Sequence, residues 1–340
     1  MKRILISIML IILVVGAIFT WRYYKWIYHP NTPESLEDAI LLVPDGSTLE
    51  SLIDSLDAEN YLMSGKSFRW VAGKMHFGDE NVKAGRYVIP PGISNRDLIS
   101  MLRLAEQTPV ALIVRPSTTL GLMAKRISAQ LALDSVSLIH YLHNDYLVES
   151  EYTEATLPSL FIPNTYEVYW NISPENLIKR FEREHANFWN AERRSDADKI
   201  GLTPTEVHTL ASIIERETQS AQERPVIAGI YLNRLKRNML LQADPTVLYA
   251  LGDFTIRRVL YVHLEVDSPY NTYIYPGLPP GPIVMPSMGS ILAVLHPADH
   301  NYIFFCVKPG GGGHAFAATL SEHNRNARAY QRWLNERNIR

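Results

Sequence analysis

From Ile4 to Thr20 the chain carries no charge and is dominated by Ile, Leu and Val. Such a run has no polar face to turn to water. As a helix it extends about 25 Å, at the short end of what crosses the hydrocarbon layer of a bilayer. Lys2 and Arg3 precede it, and Trp21, Tyr23, Tyr24 and Trp26 follow, the residue types that collect at a membrane–water interface. A cleaved secretory signal has a shorter apolar core and a small-x-small site; this run is longer, and no clear site of that kind precedes the aromatics. No lipoprotein-type cysteine is present either. Residues 1–28 are therefore predicted to form an uncleaved, single-pass transmembrane anchor that meets lipid through residues 4–21. Arg22 and Lys25 oppose Lys2 and Arg3. The free amino terminus and the length of the following chain favour an N-terminus inside and the bulk of the protein exported.

The remaining chain must fold in water, and 340 residues leave room for two domains. Its 46% hydrophobic and 20% charged residues are ordinary for a globular protein. A formal net charge of −2 provides no field to hold nucleic acid by counterion release. The single cysteine, Cys306 in YIFFCVK, rules out an intrachain disulfide and reads as a buried strand thiol. Eleven histidines show no His-Glu-x-x-His or similar spacing, so no metal site is expected.

HPNTPESLED reads as a short polar linker. Beyond it, LLVPDGSTLESLIDSL (Leu41–Leu56) and YVIPPGISNRDLISML (Tyr87–Leu102) share a short apolar strand, a Pro-x-Gly turn, a hydroxyl cap and an amphipathic helix start. LIVRPSTTLGLMAKRI repeats the pattern without the glycine. Residues 29–108 are predicted as a small α+β module that resembles a LysM domain, a binder of sugar polymers. From 109 to 340 a mixed α+β domain is expected, with helices at Leu120–Leu131, Ser135–Asn144, Pro174–Arg193, Pro204–Gln219, Glu223–Arg237 and Glu322–Arg337. A proline-dense connection runs from Ser268 to Pro297, and connections this long often shape a cleft.

One helix poses a chemical question. TPTEVHTLASIIERETQS opens with Thr203 as N-cap, Pro204 at the first helical position and Glu206 three residues after the cap, a capping box that sets the register. Val207, Leu210, Ala211, Ile214 and Thr218 then form the buried stripe, widened by Ile213 on one side. Glu217 falls beside that edge, Glu215 on the opposite shoulder, and Arg216 points outward. A carboxyl at an apolar edge has its pKa raised and can deliver a proton at neutral pH. Equally, Glu217 could pair with Arg224 or Arg234 as a structural ion.

Around it stand further candidates. Asn233 and Arg234 in YLNRL suit sugar hydroxyls or acetamido groups, or a helix-end network. Gln242, Asp244 and Thr246 open a helix in which Asp-Pro fits an N-cap; Asp244 as a second catalytic carboxylate is the other reading. Tyr270, Asn271, Thr272 and Tyr273 have the side chains of a sugar cleft, though packing also explains tyrosines. KPGGGGHAF lacks the Gly-Lys-Ser/Thr of a phosphate loop and reads as a hairpin turn. His314 beside it either faces the cleft or is structural.

ASIIERET, YLNRL, LQADPTVLYALG, SPYNTYIYPGLPPGPI and GGHAFAATLSEHN, with LFIPNTYEVYW upstream, follow one another from about Phe161 to Asn324. Together they resemble the YceG-like, MltG-type endolytic murein transglycosylases. The resemblance implies a peptidoglycan lytic enzyme that cuts glycan strands internally between N-acetylmuramic acid and N-acetylglucosamine and leaves a 1,6-anhydro end. It implies Glu217 as the catalytic residue, no metal or nucleotide cofactor, residence in the inner (cytoplasmic) membrane facing the periplasm or exterior, and partnership with peptidoglycan synthases. A catalytically silent, membrane-tethered peptidoglycan-binding scaffold is the alternative that the residues leave open.

Overall fold

The computed structural model describes residues 2–37, 39–256 and 259–337. Met1, Asp38, Arg257, Arg258 and residues 338–340 belong to the expected segments but lie outside the described residues. The fold is α+β. It opens with α1 (Lys2–Tyr28), one uninterrupted helix that continues past the apolar run through the aromatic residues. Its Ile4–Tyr28 portion is long and apolar enough to cross a membrane, and its apolar window is not buried within the protein. The chain divides into two compact units. One comprises Met1–Ala111 with Gln130–Leu133 and Glu167–Ile172; the other comprises Leu112–Ala129, Asp134–Tyr166 and Ser173–Arg340.

In the first unit β1 (Ile40–Val43) and β2 (Gly85–Val88) pair antiparallel, with Ile40 opposite Val88 and Val43 opposite Gly85. Between and after them come α2 (Leu49–Ala58), α3 (Gly65–Lys74) and α4 (Asn95–Arg103). Thr48, Ser64 and Ser94 each cap a helix by accepting a backbone N–H three residues on. Strand alternation turns Leu41, Val43 and Tyr87 inward, onto Ile53, Leu56, Phe68, Val71, Leu98 and Ile99. The twice-repeated strand–turn–helix pattern thus closes into one core.

The stretch expected to be a linker is instead, in its first part, a joint. Asn31 and Thr32 are buried. Asn31 Nδ2 donates to Asn95 Oδ1 at 2.6 Å and to Ser64 O at 3.1 Å, while Asn95 Nδ2 donates to Trp26 O at 2.8 Å and Ser67 Oγ at 3.0 Å. Trp26 and Ile27 of α1 pack on the core of the unit. Polarity misled the sequence reading here: short amides are as useful inside a satisfied network as in solvent.

Along the rest of the chain run β3 (Val110–Ile113), α5 (Leu120–Ser128), α6 (Ser135–Tyr141), a π turn (Leu142–Tyr146), α7 (Leu147–Glu149), β4 (Thr165–Val168), α8 (Pro174–Phe188), α9 (Ala191–Ile200), α10 (Pro204–Glu217), α11 (Arg224–Lys236), α12 (Asp244–Leu251), α13 (Met288–Leu295), β5 (Phe304–Val307), β6 (His314–Ala317) and α14 (Leu320–Glu336). The helix expected from Pro174 to Arg193 is two helices, because Asn190 leaves helical geometry and accepts from Arg193 N at 2.9 Å, capping α9. α13 lies inside the segment read as a connection; Ser287 caps it, and Ile291, Val294 and Leu295 bury its face. Cys306 on β5 is half-buried rather than buried. The β5–β6 hairpin closes through Lys308–Gly313, where Lys308 N donates to Gly313 O at 3.0 Å.

α10 packs against α9, α11, α12 and α13. All eight residues from Val207 to Ile214 are buried, polar His208, Thr209 and Ser212 included. The single stripe expected from the wheel is therefore a helix enclosed on all sides. Ser212 satisfies itself inside, donating to Thr209 O at 2.7 Å and accepting from Ile283 N at 3.0 Å.

Candidate active site

The capping box holds as read: Thr203 Oγ1 accepts from Glu206 N at 3.3 Å, and Glu206 Oε2 accepts from Thr203 N at 2.8 Å. With its start so set, α10 ends at Glu217, two residues short of the expected end, because Thr218 turns extended. Glu217 occupies the last helical position, where the chain leaves the core. Its carboxyl lines a cavity of about 440 Å³ with Arg234, Leu241, Gln242, Asp244, Tyr273, Phe304, Phe305, Leu320, His323 and Asn324.

Glu215 and Glu217 differ in what they meet. Glu215 Oε2 accepts from Ser290 Oγ at 2.6 Å and from Ser287 Oγ at 2.5 Å and N at 3.2 Å, with Arg224 3.8 Å away. It therefore anchors the start of α13. Among the described residues Glu217 has one protein donor, the Tyr231 hydroxyl, at 2.7 Å from Oε1. Desolvation pushes the Glu217 pKa up to about 7; the Tyr231 hydrogen bond pulls the other way, the negative charge of Asp244 adds to the rise and Arg234 offsets part of it. Tyr231 is buried edge-on to Phe305, and burial raises its own pKa, so it stays a donor.

Of the sequence candidates, five meet at this cavity: Glu217, Arg234, Gln242, Asp244 and Tyr273. Asp244 is not the N-cap of α12. Ala243 is, without a side-chain cap, and Asp244 Oδ1 instead accepts from Tyr273 Oη at 2.5 Å. Arg234 is buried and donates to Ile303 O at 2.7 Å, Leu241 O at 2.8 Å and Gln242 Oε1 at 3.4 Å. Gln242 has φ of 50°, a left-handed conformation uncommon outside glycine, held by its N–H on Thr272 O at 3.0 Å.

The other six build the frame. Asn233 Nδ2 donates to His300 O at 2.8 Å and Tyr302 O at 3.1 Å. Thr246 Oγ1 and Thr272 Oγ1 lie 2.9 Å apart in the interior, and Thr272 Oγ1 accepts from Ala243 N. Asn271 Nδ2 donates to Leu264 O and Val266 O, and its Oδ1 accepts from Tyr273 N at 3.0 Å. Tyr270 packs on Tyr249 with ring centres 4.6 Å apart. His314 contacts Glu223, which accepts from its backbone N at 2.7 Å and lies 2.8 Å from Nδ1. Gly313, with φ of 135°, permits that approach, since a Cβ there would meet Glu223 Oε1 at 2.4 Å.

Tyr231, Phe304, Phe305, His323 and Asn324 escaped the sequence reading. Their blocks were visible, Tyr231 in IYLNRL and His323–Asn324 in SEHN, but only packing sets which side of each element faces the cavity.

A profile of the YceG-like family matches residues 41–329, which contain every residue of this cavity. The chain belongs to the YceG-like family. A Bacillus subtilis (strain 168) protein named endolytic murein transglycosylase is 30% identical over 345 residues, spanning 96% of this chain and 93% of that one. A Streptococcus pneumoniae (D39) protein of the same name is 24% identical over 355 residues, spanning 94% of this chain and 63% of its own length. Among solved structures, the YceG-like protein lmo1499 of Listeria monocytogenes is similar, with a TM-score of 0.55, 29% identity, and coverage of 84% of this chain and 98% of that one. This YceG-like chain thus shares its family with proteins named for glycan-strand cleavage.

Proposed function

We propose that this protein is a peptidoglycan lytic transglycosylase that cleaves glycan strands internally between N-acetylmuramic acid and N-acetylglucosamine, leaving 1,6-anhydro ends. The observation that carries the reading is the Glu217 carboxyl, opening on a cavity with its pKa raised to about 7. A carboxyl so poised can protonate the glycosidic oxygen as the C1–O bond breaks. The muramyl C6 hydroxyl then attacks C1, and Glu217, now a carboxylate, takes its proton. Because the nucleophile comes from the substrate, one proton-transfer residue suffices where hydrolysis uses two carboxylates. In this reading Gln242, Asp244 and Tyr273 face sugar hydroxyls, Arg234 holds Gln242, and Asn233, Thr246, Tyr270, Asn271, Thr272 and His314 keep the frame.

The same proposal gives α1 the role of a single-pass anchor in the inner (cytoplasmic) membrane, with both compact units outside. Residues 29–108 act as a LysM-like holder of glycan, and peptidoglycan synthases are the fitting partners. Incubating the wild-type chain and Glu217→Gln with uncrosslinked glycan strands, with products read by mass, tests it. Anhydro-muramyl ends from the wild type, lowered about 100-fold or more in the variant, are expected. Intact strands that only co-sediment with the wild type would leave a binding scaffold instead.

A further inference from the structure

We infer that the first compact unit itself lies in the lipid headgroup layer, through Trp70 and Lys74 of α3, with Arg96 of α4 facing that layer from its outer side, so that the membrane contact extends beyond the anchor. The inference rests on the reading of α1 as a membrane span. If hydrocarbon ends at Thr20, Tyr23 is about 4.5 Å farther along the helix, within the interfacial layer. Trp70 is stacked on Tyr23, with ring centres 4.5 Å apart and planes 10° apart, and stands edge-on to Trp26 at 5.6 Å. A residue of the folded unit is thereby held at the depth of the anchor's own interfacial aromatics.

One cation flanks its ring, and others stand on neighbouring aromatic rings of α1. Lys74 Nζ lies 5.6 Å from the Trp70 ring and Arg96 lies 5.5 Å from the Tyr28 ring; on α1, Arg22 and Lys25 stand over Trp26 and Trp21 at 4.9 and 4.0 Å. Lys74 and Arg96 are exposed. Arg69, on the same helix as Lys74, pairs with Glu50 and does not enter the count, whereas Asp97 beside Arg96 is an exposed carboxylate that offsets part of the attraction of its neighbour. Indole rings flanked by cations suit a layer of anionic phosphate headgroups, with each basic residue near the surface adding attraction. The buried Asn31–Asn95–Ser67 joint turns this proximity into a fixed orientation, because the span and the unit share one core.

The test uses the full chain with Cys306→Ser and Lys74→Cys, labelled at position 74 and reconstituted in nanodiscs containing headgroup-spin-labelled phospholipid. At least a halving of the label's fluorescence is expected. Native mass spectrometry of the unlabelled protein should show anionic over zwitterionic lipid enrichment that falls threefold or more in Lys74→Glu/Arg96→Glu. A chain that resists carbonate extraction yet keeps its fluorescence within a tenth overturns the inference and leaves the anchor standing. Release by carbonate overturns the anchor reading instead. Quenching without any lipid preference overturns the role given to the two cations.

Discussion

Glu217 is held between opposing influences, and each has a residue that can be removed. Loss of activity should follow deprotonation of the donor as pH rises through about 7. Tyr231→Phe removes a hydrogen bond that favours the carboxylate, so the alkaline limb of the kcat profile should move to higher pH. Asp244→Asn removes a neighbouring negative charge and should move the limb to lower pH. A pH-rate series on the two variants checks both signs; identical limbs would show that neither residue acts on Glu217. The same shift governs stability. A carboxyl whose folded pKa lies above its unfolded one favours the fold below about 4.5, and that advantage is lost as pH rises to 7. Glu217→Gln should therefore be more stable than wild type at pH 8, by about 2 kcal/mol after allowance for partial exposure, with the gain vanishing near pH 4. Denaturant titrations at the two pH values measure it.

At the scale of elements, the site depends on α10 ending where it does and on α13 lying across it. Glu215 fastens the two through Ser287 and Ser290. Glu215→Ala should cost about 3 kcal/mol by leaving two serine hydroxyls without their acceptor and the partly buried Arg224 without its counter-charge, while the alkaline limb set by Glu217 stays where it was. A melting curve beside a pH profile separates this brace from a catalytic group. The unusual φ of Gln242 belongs to this scale too: the strained residue lies between α11 and α12 and is held by bonds from both directions, to Arg234 and to Thr272.

Across the whole molecule, the end of α1 and the rest of the first unit share one core. A soluble form that starts at Arg22 keeps Trp26 and Ile27, whereas one that starts at Pro30 loses them and the carbonyl that Asn95 bonds. The shorter form should melt at least 5 °C lower, as about 2 kcal/mol of lost burial implies for a unit of this size; equal melting points would show the joint to be incidental. The sequence alone determined the long apolar helix, the caps of α2, α4 and α10, and the register that puts Glu217 at the edge of the apolar face, since these follow from composition and from interactions three or four residues apart. It could not determine that α10 is enclosed all round, that α13 interrupts a proline-rich connection, that Asp244 turns to Tyr273 rather than capping, or that Asn31 is interior. Those outcomes depend on partners dozens of residues away in the chain, and a local pattern has no term for a contact that only folding creates.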